Sequence, residues 1–427
     1  MTVSPTGTFQ LLPFRAVRYN SSVSDLAAVI APPYDVIDDA EHAALEAADP
    51  HNVVRLILPR DPADPGVDRY AAAAQTFDQW LDDETLVVDD APALYVYQQT
   101  RAGVVVQRGL LGAVVMQPLD GGIILPHENV RSGPVEDRLA LMRAMRANPE
   151  PIFLLYDGGG AATASCAAAV TRTPIASAVT PDGITHELWS ITETFELAAI
   201  SADLATRRAM IADGHHRYTT YGYLRDELRA AGEGGGPWDA GLTLLVDASV
   251  AAPDIRAIHR VVPQLSLETA VAAAADAFRV VHLEAGSDNL DDALARLGEC
   301  DGPAFVLSDG SAFVLLLDPD PGRLAAAKPV DRTPAWWALD ASVASVLVLE
   351  ALLGVSDAAG QVEAEHDPAA ALRLAQRDGG IALFLKPAPL AGIVAVAEAG
   401  DAMPRKSTLF LPKPRSGVAM RAFRFER

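Results

Sequence analysis

Apolar positions in the first 160 residues fall into short compact runs and helix-spaced stripes, the pattern of strands interleaved with helices. Residues 29–30 and 53–58 read as short strands that run into prolines. Tyr70, Ala73, Ala74, Phe77, Trp80 and Leu81 recur at helical spacing and predict a helix over 68–83. Strands follow at 93–99 and 109–116. Pro134 suits a first helical turn, Leu139, Met142 and Met145 share one face, and Asn148-Pro149 stops that helix. Further strands are expected at 152–156, at 242–246 after a glycine-rich loop, and at 381–385, with a buried helix over 336–353.

This alternation predicts an α/β or α+β fold, a mixed sheet core with flanking helices and a smaller C-terminal part. The expected organisation is an N-terminal α/β catalytic region over 1–264, a second α/β part over 265–400, and a basic segment over 401–427 that returns to the active site.

Composition narrows the class. The chain has 427 residues, half of them hydrophobic, which excludes a disordered protein. Two cysteines, Cys166 and Cys300, exclude a disulfide framework and a four-thiolate zinc site. No apolar run reaches membrane-spanning length, and the N-terminal stretch lacks the pattern of a signal peptide. A soluble cytoplasmic protein with no membrane partner is expected. The net charge of −22 repels nucleic acid, whose binding depends on neutralising phosphates. Basic residues nonetheless crowd the tail: Arg405, Lys406, Lys413, Arg415, Arg421, Arg424 and Arg427 face only one acid, Glu426. Such a tail either pairs with the acidic body or folds back to meet an anionic ligand.

Four segments carry candidate chemistry. The first runs from Ala209 through Asp213-Gly214-His215-His216-Arg217-Tyr218: an apolar strand, a glycine turn, then a helix with Tyr221, Leu224 and Leu228 on one face. A helix N-terminus presents backbone N–H groups and a positive dipole end, which attract an anion. His215, His216 and Arg217 crowd donors around that point, and the planar fork of arginine suits phosphate. The second is Pro126-His127-Glu128, a carboxylate beside a histidine that suits a general base or a metal ligand. It is not a zinc-peptidase helix, because Arg131 stands where the second histidine would be. The third is Pro32-Pro33-Tyr34-Asp35-Val36-Ile37, a stiff loop that displays Tyr34 and Asp35. The fourth is Met403-Pro404-Arg405-Lys406-Ser407-Thr408-Leu409-Phe410-Leu411-Pro412-Lys413-Pro414, whose Lys406-Ser407-Thr408 echoes part of a P-loop but lacks its glycines. The run Asp157-Gly158-Gly159-Gly160 imitates a dinucleotide loop, but Thr163 stands in place of the last glycine.

Taken in order, the four segments resemble the signatures of DUF1015, a domain-of-unknown-function family. Asp137-Arg138-Leu139, Pro151-Ile152-Phe153 and His259-Arg260-Val261-Val262 add lesser similarities, while Arg405 and Glu365 depart from the family's pattern. Some members are understood to be kinases of free L-serine, and Asp213–Arg217 also resembles the nucleotide-phosphate motif of free-serine kinases in the ParB and sulfiredoxin superfamily. The resemblance implies an ATP-dependent kinase that makes O-phosphoserine, with Mg²⁺ as cofactor and a ParB/sulfiredoxin-like phosphate-binding element. Its site residues would be Glu128 as base, with His127, His216 and Arg217 beside it. Asp213, Gly214, His215, Arg217, Lys406, Ser407 and Thr408 would hold the nucleotide phosphates. Tyr34 and Asp35 would meet the substrate, and Asp35 or Asp213 would hold the metal. Two rivals remain open: a metal-dependent hydrolase ligated by His127, Glu128, Asp213, His215 and His216, and a non-catalytic nucleotide-binding regulator.

Overall fold

A computed structural model describes residues 7–62, 64, 66–283, 289–356 and 360–426. Arg427 of the basic tail and the first six residues of the N-terminal stretch lie outside them. The chain divides into two compact units. Of the described residues, the larger holds those within 7–126, 130–253 and 412–426, and the smaller holds those within 127–129 and 254–411.

The larger unit is built on a nine-stranded mixed sheet. Its strands are β1 (Leu11–Leu12), β2 (Leu94–Arg101), β3 (Val104–Val115), β4 (Ile124–Leu125), β5 (Ile152–Tyr156), β6 (Ala176–Val179), β7 (Ile184–Ile191), β8 (Ala209–Asp213) and β9 (Ala240–Asp247). The order across the sheet is β4-β8-β5-β9-β3-β2-β7-β6, with β1 pairing β3. Only β4 with β8 and β5 with β9 run parallel. Buried on every residue, β5 and β9 read in the sequence as continuous apolar runs, as central strands do. Helices α1 (Ser132–Met145) and α2 (His215–Ala230) flank it, and Tyr218, Tyr221 and Leu224 of α2 join the sheet core together with Leu139 and Met142 of α1. A second layer pairs Ala16–Tyr19 with Leu86–Val88 and Met420–Ala422, so the C-terminal segment is a strand of this unit.

The smaller unit holds a six-stranded antiparallel sheet, with separate apolar clusters at Phe278, Phe305 and Leu347 and at Val306, Phe313 and Phe384. The buried helix expected over 336–353 is present as short consecutive helical pieces.

Two expected strands are helices. Val54–Ile57 forms one helical turn, although its β-branched residues favour a strand by propensity. The Asn52 side chain caps the Val54 amide at 2.9 Å, and Val54, Leu56 and Ile57 are wholly buried. Leu26–Val29 is likewise helical, capped by Asp25 at the Ala27 amide. At Val54–Ile57 the cap and complete burial override the propensity, whereas Leu26-Ala27-Ala28 already favours a helix that the Asp25 cap starts. Among the described residues no helix is long and apolar enough to cross a membrane.

Candidate functional site

Strand β8 ends at Asp213, and Gly214 turns the chain into α2. Gly214 has φ +91°, a left-handed conformation that side chains rarely adopt, and a Cβ there would lie 3.0 Å from Ile152 and 3.1 Å from Arg217 Nε. Having no side chain, Gly214 contributes no cap to the first-turn amides of α2.

Charged groups from four distant parts of the larger unit meet at this corner. The Arg217 guanidinium is 1% exposed. It pairs with Asp213 and donates to the Pro151 carbonyl at 2.7 Å, while its Nε is buried without a partner. Lys413 sends its ammonium onto the other Asp213 oxygen and lies 3.5 Å from Asp35. Tyr34 lies under the Arg138 guanidinium, which is centred 4.0 Å from the ring. Glu150 accepts the Tyr34 amide at 3.0 Å and lies 3.5 Å from Arg138.

The electrostatics follow from this packing. Burial pushes the Asp213 carboxyl up, but the Lys413 ammonium and the Arg217 guanidinium outweigh it and hold Asp213 below the ordinary carboxylate range. Burial alone would lower Lys413, yet Asp213 and Asp35 raise it above an ordinary lysine. Burial raises Glu150 despite Arg217 and Arg138, and pushes Tyr34 up to about 12.

This arrangement does not fit a divalent ion on Asp35 and Asp213. The two carboxylates already hold an ammonium between them, and Arg217 takes a second contact on Asp213. Both Asp213 oxygens are thus taken by cations, which leaves that carboxylate no oxygen facing a shared ion. Nor is any group of three or more histidine, cysteine, aspartate or glutamate side chains arranged to hold a metal among the described residues.

The other expected residues are placed as follows. His215 is buried, and His216 Nε2 accepts the Arg131 amide at 3.1 Å. In the smaller unit Thr408 joins the histidine–glutamate pair: its hydroxyl is 3.1 Å from His127 Nε2 and donates to Glu128 at 3.2 Å. Ser407 spends its hydroxyl locally on the Pro404 carbonyl at 2.6 Å. Lys406 is exposed at a turn with φ +51°. Sequence reasoning missed Lys413, Glu150 and Arg138 as members of the corner. The Pro412-Lys413-Pro414 run closes the fourth candidate segment, where Lys413 carried no site role of its own, and Glu150 was visible only as a residue before Pro151.

The glycine run after β5 is already occupied. Gly158, Gly159 and Gly160 all have positive φ, but the Asp247 carboxylate bonds Thr163 and accepts the Gly159 amide at 3.4 Å, while Asp203 accepts the Ala162 amide at 2.9 Å. Carboxylates of the chain itself stand where a dinucleotide loop would receive its phosphates.

The profile of the family described as "Protein of unknown function (DUF1015)" matches residues 11–342. The chain belongs to the DUF1015 family. No curated protein sequence matches this DUF1015 member. Three solved structures show a distant likeness. A mutant free serine kinase in complex with ADP is 12% identical, with a TM-score of 0.34, covering 68% of this chain and 84% of its own. SbnI with a C-terminal truncation, from Staphylococcus aureus, is 13% identical with a TM-score of 0.34, covering 72% and 85%. A conserved hypothetical protein from Pyrococcus furiosus is 13% identical with a TM-score of 0.32, covering 68% and 87%. Likenesses at these scores transfer neither fold nor activity.

Proposed function

We propose that this DUF1015 protein is a small-molecule kinase that transfers the γ-phosphoryl group of ATP to the hydroxyl of free L-serine. The observation that carries the reading is the meeting of Asp35, Asp213 and Lys413 at the left-handed Gly214, where α2 begins. Residues from three separate sequence segments converge on one point whose glycine is required by the backbone. A lysine ammonium and a helix N-terminus both favour phosphate. The acceptor is supported by the resemblance of residues 32–37, 127–128, 213–218 and 403–408 to the DUF1015 signatures, some of whose bearers are understood to be free-serine kinases, and by that of Asp213–Arg217 to the free-serine-kinase motif.

In this reading Gly214, His215 and His216 lie against the nucleotide phosphates with Lys413, and Lys406 is a second, exposed cation. Arg217 acts from behind, fixing Asp213, because its guanidinium is buried and already bonded. In the transfer, the serine oxygen forms a bond to the γ-phosphorus as the bond to the β–γ bridging oxygen breaks, and ADP leaves with that electron pair. The hydroxyl proton goes to a carboxylate, for which Glu128 is proposed on its partly exposed, Thr408-bonded side chain. Magnesium enters with ATP, and no protein ligand is assigned to it.

The test is incubation with MgATP and L-serine, then mass spectrometry for O-phosphoserine, with other amino acids and small alcohols as parallel acceptors. O-phosphoserine and ADP in equal amounts are expected. ATP binding with no phosphorylated product from any acceptor would favour the regulator instead.

A further inference from the structure

Lys413 reaches Asp213 from a short strap, residues 412–416, and the way the strap is held points to an arrangement beyond the site itself. Gln99 on β2 and Gln107 on β3 face each other as cross-strand partners. Gln107 Nε2 donates to the Pro412 carbonyl at 2.7 Å, and Gln99 Nε2 donates to the Lys413 carbonyl at 3.2 Å. Both side chains are essentially inaccessible, and both Oε1 atoms are buried without a partner. Leaving a buried acceptor unsatisfied is costly, so two side by side are an expensive way to fill a sheet face. What they obtain is a grip on the two carbonyls that flank the Lys413 Cα.

The rest of the strap is held just as firmly. Pro412 and Pro414 fix φ on either side of the lysine. The Arg415 amide donates to the Tyr97 hydroxyl at 3.4 Å, the Arg415 side chain pairs with Asp182 at 2.7 Å, and Ser416 exchanges both backbone hydrogen bonds with Ala31. A long lysine side chain ordinarily has many rotamers to lose on being fixed. Here the backbone that carries it is immobilised before the ammonium meets Asp213.

We propose that Gln99 and Gln107 are positioning residues that clamp the Pro412–Lys413 backbone and thereby aim the Lys413 ammonium at Asp213 and at the phosphate of a bound nucleotide. The phosphate half rests on the kinase reading above, and the clamp itself does not. The chain has only four lysines, Lys328, Lys386, Lys406 and Lys413, so each can be followed separately. The experiment acetylates intact wild-type protein, Gln107→Met and Gln99→Met/Gln107→Met with an activated acetate ester, and reads the rate at every lysine by peptide mass spectrometry. Methionine keeps the length of glutamine and removes the donor. Lys413 is expected to react at least tenfold faster in the double variant, with an intermediate rate in Gln107→Met, while the other three lysines stay within twofold. A general rise at all four would mean unfolding of the double variant, and Gln107→Met then decides. Unchanged Lys413 reactivity in a folded variant overturns the clamp. With O-phosphoserine formation as the second readout, the double variant should lose at least tenfold in kcat/KM for ATP while KM for serine is unchanged. Faster Lys413 labelling with unaltered ATP kinetics overturns the phosphate half alone. A wild type inactive toward every acceptor, with the labelling pattern intact, overturns the kinase reading and leaves the clamp standing.

Discussion

Replacing Arg217 with methionine should destabilise the larger unit before it reports on chemistry. Methionine preserves much of the volume and removes every donor of the guanidinium. In the wild type those donors serve Asp213 and, at 2.7 Å, the Pro151 carbonyl. Removing one partner of a buried ion pair costs about 3–5 kcal/mol, and an unsatisfied buried carbonyl about 1–3 kcal/mol. Lys413 stays on the other Asp213 oxygen, so the two losses do not sum. We expect a loss of about 3–4 kcal/mol, a large part of the roughly 5–15 kcal/mol that holds a domain folded. The pH dependence has a fixed sign. Asp213 lies below its ordinary value in the folded chain, so its contribution is present above the unfolded value of about 3.9 and is lost as pH falls through the folded one. The gap between wild type and variant should therefore be flat from about pH 5 to about pH 9 and narrow below about pH 4. Urea titration read by hydrogen exchange of peptides covering 209–230 measures opening of this corner directly. A variant within about 1 kcal/mol of wild type that nonetheless lost a hundredfold or more in turnover would refute the reasoning, because Arg217 would then act on a ligand and not through Asp213.

Other outcomes follow from the same contacts. Arg217→Lys should recover only part of the stability, since one ammonium cannot reproduce the forked contacts to Asp213 and Pro151; urea midpoints compare the two variants. Gly158→Ala would place a Cβ 1.7 Å from the Asp247 carboxylate at φ +73°, so thermal unfolding should show a clear loss of stability. Calorimetry with ATP on that variant, at a temperature where it is folded, should show unaltered affinity. Glu128→Gln should lower serine phosphorylation by about 10²–10⁴-fold with little change in ATP affinity; normal turnover would remove Glu128 from the mechanism. His186 is buried between the Tyr97 and Thr180 hydroxyls, and burial, with Arg415, lowers it to about 4. The unfolded chain therefore takes up that proton first, and stability should fall between about pH 6.5 and 4, a slope that His186→Asn should flatten.

The sheet was largely legible because its strands carry their own signals. The apolar runs at 93–99, 109–116 and 152–156 are long enough to state their period, and the strands Leu94–Arg101, Val104–Val115 and Ile152–Tyr156 lie there. The run at 53–58 misled because its composition speaks for a strand while the Asn52 cap and complete burial make it a helix. The corner was half legible. The strand–glycine–helix turn at 209–218 is local, so Asp213 and Gly214 could be nominated from spacing alone. Lys413 could not: it stands 200 positions from Asp213 and 378 from Asp35, and only the folded chain brings them together. Burial was hidden as well. Nothing in the string Asp-Gly-His-His-Arg distinguishes an arginine that points at a ligand from one that points into the core.

The distinction between an arginine that builds the fold and one that serves a site can still be drawn by comparing two of them. Arg421 is 2% exposed, and every one of its donor nitrogens is engaged: Nε with Glu426, one terminal nitrogen with Glu426 and the Pro237 carbonyl, and the other with Asn148 and the Ala240 carbonyl. That network is closed, and it joins the C-terminal strand to the body of the larger unit. Arg217 is as deeply buried, yet its Nε is left over, on the side where Gly214 has no Cβ. Its partner Asp213 is shared with Lys413, whose neighbour Asp35 is partly open to solvent. Buried polar groups ordinarily end in satisfied networks. Arg217 stops one contact short, but it is sealed from solvent and spends its guanidinium on Asp213 and the Pro151 carbonyl. It therefore serves the corner by holding Asp213, and Lys413 and the partly open Asp35 are the groups left to meet a ligand.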